Sequence, residues 1–162
     1  MNDTSPFALT FQVNPQDIDE LNHVNNVVYV RWVQEVAQAH WEAVASPELK
    51  SGNVWMLLRH EIDYKSQSFL GDTITGYTWV GEAKGATFER FVKLTRGSVL
   101  LTYSRLVWCM LDAKSLKPKR IDARMVELLK VGSSSPESSK LKVWIFNFEL
   151  FALDFLQLLS HP

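Results

Sequence analysis

Cysteine is almost absent from this chain. The lone Cys109 cannot close an intrachain disulfide, and it sits in the apolar run 106–111 with no His or Asp beside it in sequence. That setting reads as a buried, inert thiol rather than a nucleophile. A block of basic charge is lacking too. The net charge is -1, and without a phosphate-neutralising patch nucleic acid is not an expected partner. The first residues, 1–6, hold no basic stretch leading into an apolar one, so no secretory leader is read there and a cytoplasmic location is expected. Long uninterrupted apolar runs are missing as well. The strongest, 143–159, is broken by Asn147, Glu149, Asp154 and Gln157, whereas a membrane span needs about 20 nearly unbroken apolar residues. No membrane span is expected. His40 and His60 stand apart from one another, and no His/Cys/Asp/Glu cluster has the spacing of a metal site.

What is present suffices for one domain with a real core: 162 residues, 46% of them hydrophobic. Phe7, Leu9, Phe11 and Val13 alternate with polar residues, the period of a half-buried strand that Pro15 stops. A polar loop fills 16–26. Residues 27–44 then read as a helix of about five turns. Its polar residues Arg31, Gln34, Glu35, Gln38 and Glu42 fall on one thin stripe, so other structure must enclose most of it. Four runs rich in aromatic and β-branched residues follow, at 54–64, 73–83, 86–95 and 99–112. Turn signals at Gly71-Asp72, Lys84-Gly85 and Gly97-Ser98 join them, which predicts an antiparallel meander. The fold class is therefore α+β, with an antiparallel sheet curled around one long helix. A short helix is expected over 121–129. The domain is placed at 1–131, a serine-rich linker at 132–142, and an apolar extension at 143–162 that reads as an amphipathic helix docked on protein.

The chemistry concentrates in 17–26, where three carboxylates, one imidazole and three amides precede the helix. Asn25 or Asn26 is the natural N-cap, because an Asn side chain accepts an orphan amide of the first turn. The remaining amides and the positive end of the helix dipole face whatever lies before them. A carbonyl there would be polarised, and an oxyanion stabilised more strongly. An upstream carboxylate could attack that carbonyl or activate water. The same composition also suits an ordinary Asx-rich turn, and spacing alone names no reaction.

The pattern Asp17-x-Asp19-x-x-x-His23-Val24-Asn25-Asn26, with Tyr29 and Trp32 beyond it, resembles the signature of the 4-hydroxybenzoyl-CoA thioesterase-like family. It is similar as well to the matching stretch of plant acyl-ACP thioesterases. The likeness runs over roughly 7–129 and includes Ile62-Asp63-Tyr64 and Gly71-Asp72. It implies a hotdog fold, a homodimer or homotetramer with active sites between subunits, and hydrolysis of an acyl-CoA or acyl-carrier-protein thioester. No cofactor is implied beyond the coenzyme A of the substrate. Asp19 takes the position of the nucleophile or general base, while Asp17 would hold the loop. His23 matches a histidine of the acyl-ACP enzymes. Those enzymes carry an Asn two residues earlier, where this chain has Leu21, which favours the simpler scheme of a carboxylate and a helix N-terminus. Asp19, His23 and Asp17 are thus the catalytic candidates, with backbone amides at Asn25, Asn26 and Val27 as the oxyanion site.

Glu35 is a possible second carboxylate, although Arg31 four residues earlier makes an ordinary surface pair the competing reading. Lys65, Arg90, Lys93, Arg96 and Arg105 could meet the phosphates of coenzyme A. Trp55, Trp79 and Trp108 lie in strands, where packing explains them. Two rivals remain beside hydrolysis. One is a hotdog hydratase or dehydratase, which needs a His and a carboxylate for proton transfer at carbon. The other is a non-catalytic acyl-thioester-binding protein.

Overall fold

The computed structural model describes residues 6–131. The linker and the apolar extension expected at 132–162 lie outside them. Strand β1 (Phe7–Gln12) shows the alternating exposure its sequence predicts. The long helix α1 (Asn26–Val44) follows, then a six-residue helix α2 (Pro47–Gly52). Four strands come next, β2 (Asn53–Tyr64), β3 (Thr73–Lys84), β4 (Thr87–Arg96) and β5 (Val99–Asp112), and the short helix α3 (Ala123–Lys130) ends the series.

The strands form one antiparallel sheet in the order β1-β3-β4-β5-β2. Strands β3, β4 and β5 are the expected meander. Their two-residue turns place Gly85 and Gly97 at φ of 63° and 55°, the positive values that tight hairpins demand. The four-strand meander needs correction, because β2 does not neighbour β3. It pairs with β5 at the far edge. The 65–72 connection is a crossing rather than a turn. It must traverse three strand spacings, about 14 Å, and it is tied down on the way by Lys65 and Ser66 amides that donate to Leu101 O. Helix α2 was also not foreseen. Ser46 caps it by accepting the Leu49 amide, and Pro47 opens it, a start signal that its short length hides. The third helix begins two residues later than expected because the Asp122 side chain accepts the Met125 amide at 2.8 Å.

One face of the sheet closes on α1. Val28, Tyr29, Trp32, Val33 and Val36 of the helix meet Ile74, Val92, Leu94, Leu101 and Leu106 in a buried hydrophobic core. The helix packs tightly at Gly76, where an added Cβ would lie 2.4 Å from Val36 Cγ2. Beneath α3, Phe88, Met110, Ile121, Met125 and Leu129 form a second cluster. A curled antiparallel sheet around one long helix is the hotdog architecture the sequence implies.

Candidate functional site

The polar loop folds on itself before α1. Ile18 bridges Val24, the Asp19 amide donates to His23 O, and the Asn22 amide donates to Asp19 O. Asn22 sits at φ 62°, a left-handed conformation that Asn tolerates better than other non-glycine residues. The loop is fastened to the body from two sides. The Val24 amide donates to Ser68 O at 2.9 Å, and the Tyr29 hydroxyl bonds the Ser68 Oγ at 2.7 Å while accepting the Ser68 amide. The crossing segment therefore buttresses the loop and the first turn of α1 together.

Asp17 is the most enclosed carboxylate of the loop, 1% exposed. Its Oδ1 accepts from Arg31 Nη2 at 2.7 Å and its Oδ2 from the Asn14 amide at 3.0 Å. Its carbonyl accepts the Asn25 amide. One residue thus links the exit of β1, the cap position and the second turn of α1. Both side-chain oxygens are engaged within the fold.

Asp19 is placed differently. Its side chain is 23% exposed, its Oδ1 accepts the Leu21 amide at 2.9 Å, and His23 Nδ1 stands 3.7 Å from the same oxygen. Beyond direct hydrogen-bond length, the imidazole can still orient a water or a substrate atom against that carboxylate.

Asn25 is the N-cap. Its Oδ1 accepts the Val27 amide at 3.0 Å, and its carbonyl accepts from Val28. Of the three amides expected to face an oxyanion, two are therefore occupied, Asn25's by Asp17 O and Val27's by the cap. The Asn26 amide has no acceptor among the described residues. Tyr64 donates its hydroxyl to Asn26 O at 3.2 Å, fixing the peptide next to that open amide. Glu35 lies 3.5 Å from Arg31 Nε and is half-exposed. Arg31 thus sits between Glu35 and Asp17.

Several cations considered for coenzyme A phosphates have other engagements. Arg96 pairs with Asp72 at 2.8 Å, and Arg105 bonds Glu61 and Glu89. Arg90 is 2% exposed and cannot serve as a surface phosphate contact. Its Nη1 donates to His40 Nδ1 at 3.2 Å and to Thr78 Oγ1 at 3.0 Å. His40, wholly buried on α1, completes the chain by donating Nε2–H to Val131 O at 2.7 Å. Burial and the adjoining Arg90 hold the imidazole at about 4, well below its usual 6.5, so it is neutral and accepts the guanidinium proton at Nδ1. Burial lowers Arg90 to about 9. The guanidinium keeps its charge at neutral pH.

Sequence reasoning missed this pair, although a signal was there. His40 continues the buried stripe of Val33 and Val36 on α1, and Arg90 occupies an inward position between Phe88 and Val92 in β4. A polar residue at a core position calls for a partner.

Among the described residues no helix is long and apolar enough to cross a membrane, and no group of three or more potential metal ligands gathers.

The fold matches many solved structures. A 1,4-dihydroxy-2-naphthoyl-CoA thioesterase from Synechocystis superposes with a TM-score of 0.66 at 14% identity, covering 77% of this chain and 96% of that one. A probable thioesterase from Escherichia coli gives 0.66 at 17% identity, covering 76% and 96%. A Staphylococcus aureus protein solved in complex with CoA gives 0.68 at 16%, covering 76% and 81%. At such identities the likeness is one of fold. No curated protein sequence matches. The sequence itself matches the family model of the thioesterase-like superfamily over residues 13–129, most of the described chain. This chain belongs to the thioesterase-like superfamily.

Proposed function

We propose that the protein is an acyl-CoA thioesterase, releasing a carboxylic acid and the CoA thiol. The observation that carries this reading is the pairing of an open amide with a reachable carboxylate at one helix start. Asn26 N–H has no acceptor among the described residues, and Asp19, on the loop that leads into the Asn25 cap, is partly exposed beside His23. The thioester carbonyl oxygen would rest on the Asn26 amide at the positive end of α1. Asp19 takes a proton from water as the water oxygen bonds to the carbonyl carbon. The tetrahedral intermediate then collapses, the carbon–sulfur bond breaks, and the thiolate leaves and collects a proton. The intact Asp19–His23 geometry also allows direct attack by Asp19, with water cleaving the resulting anhydride.

A thioester suits so sparse a site because a thiolate departs without a strong general acid. The CoA complex of the Staphylococcus aureus neighbour supports coenzyme A as the carrier. The active unit is a homodimer or homotetramer. Val54, Met56 and Leu58 of the edge strand β2 are 38–52% exposed, an apolar stripe beside unpaired backbone groups that a second copy would cover.

A thiol-release assay on a panel of acyl-CoAs tests the reading. Release from saturated acyl-CoA separates hydrolysis from hydration chemistry, and binding without release would leave only an acyl-thioester-binding protein.

A further inference from the structure

A cavity of about 310 Å³ opens between the C-terminal half of α1, the sheet and α3. Trp41, Trp55, Phe88 and Trp108 wall it, and Arg90 lines it. This is an unusual place for a guanidinium. Burying a charge is costly unless it is paired, yet among the described residues Arg90 bonds only a neutral imidazole and a hydroxyl, both through Nη1. Among the described residues the one carboxylate at the cavity, Glu42, is already paired with Lys50 at 2.6 Å. Arg90 Nε and Nη2 have no acceptor among the described residues, and neither does the buried indole N–H of Trp108. A guanidinium that lines an aromatic cavity without a counter-charge suits an anion, and the low local dielectric strengthens such a pairing.

The cavity also shares a helix face with the proposed oxyanion site. Val27, Arg31, Gln34, Gln38 and Trp41 recur at spacings of four and three, so they form one stripe along α1. Val27, Arg31, Gln34 and Gln38 are all exposed. From Asn26 to Gln34, where the cavity begins, the rise is about 12 Å.

Resting on the thioesterase reading, we propose that an acyl chain lies along this stripe with its far end in the cavity, where Arg90 holds a terminal carboxylate. The substrate class is then a thioester of a medium or long dicarboxylic acid, with one carboxyl group esterified to the thiol and the other free. His40 and Thr78 are positioning residues that aim the guanidinium from behind.

The first test needs no turnover. Trp41, Trp55 and Trp108 report on the cavity through their fluorescence, so the native protein is titrated with dodecanoic acid and with its methyl ester. The acid should bind at least about tenfold more tightly, the worth of one charge-assisted hydrogen bond. Arg90→Gln should erase the difference, with circular dichroism checking its fold. Equal binding of acid and ester by the native protein overturns the proposal, whether or not the variant folds. The second test compares dodecanoyl-CoA with the mono-CoA thioester of dodecanedioic acid. The native protein should favour the dicarboxylic substrate at least about tenfold in kcat/KM, and a preference for the methyl-ended chain contradicts the assignment. Tight binding of the acid without thiol release from any thioester would uphold the carboxylate site and remove hydrolysis instead.

Discussion

At the residue scale, two carboxylates only two positions apart stand in different surroundings. Asp17 is buried with both oxygens bonded, whereas Asp19 retains an exposed face. Asp17→Asn should therefore act mainly on stability. It weakens a charge-assisted contact, but Arg31 is half-exposed and solvent screening reduces the loss. A decrease of about 1–2 kcal/mol in urea unfolding is expected, and an unchanged midpoint would contradict the loop-holding role. His40 leads to a pH dependence. Its imidazole titrates near 6.5 when unfolded and at about 4 when folded. Between those values the unfolded chain binds more protons, so stability falls as the pH drops from about 6.5 to about 4 and levels off below. The loss at this site amounts to roughly 3 kcal/mol. Urea midpoints at pH 7 and pH 4.5 check it. The native protein should lose more stability than His40→Gln, because other acid-titrating groups are common to both.

At the element scale, α1 and the sheet are fitted together at Gly76. A methyl group there meets Val36 Cγ2 at 2.4 Å and Leu94 Cδ2 at 3.0 Å, and both neighbours are fully buried. Gly76→Ala should cost about 1–3 kcal/mol by overpacking, measured by thermal or urea denaturation. Full tolerance would mean that the helix does not pack as closely as it does here. The elements differ in how legible they were. Strand β1 and helix α1 announce themselves, since Phe7, Leu9 and Phe11 keep a period of two and Val33, Val36 and Ala37 fall within one helical stripe. The order of strands is another matter. A tight turn identifies neighbours, as Gly85 and Gly97 do, but the eight-residue connection after Tyr64 carries no such constraint, and only tertiary packing sends it past β5 and β4. The family resemblance singles out Asp19 and His23 within one loop, and the sequence narrows the cap to Asn25 or Asn26. The Arg90–His40 contact joins residues 50 positions apart and has no local signature beyond a polar residue at each inward position.

At the scale of the whole molecule, the site stands at the start of a helix that the sheet almost encloses, and the stripe left open runs beside the edge strand β2. The apolar side chains Val54, Met56 and Leu58 on that strand are the surface that the proposed oligomer would cover. Light scattering should return a mass of at least twice the 18.6 kDa of one chain. Met56→Lys should shift the population toward monomer, as a charge placed on an apolar edge opposes pairing. A monomeric native protein at micromolar concentration would contradict this assembly.

The central claim is that Asp19 drives hydrolysis of an acyl thioester at the N-terminus of α1. Its most direct test is CoA-thiol release from acyl-CoA by the native protein and by Asp19→Asn, with folding of both verified. The predicted result is turnover by the native protein and a fall of about 10²–10⁴-fold in the variant, the usual worth of a general base. Undiminished turnover in a folded Asp19→Asn protein would contradict it.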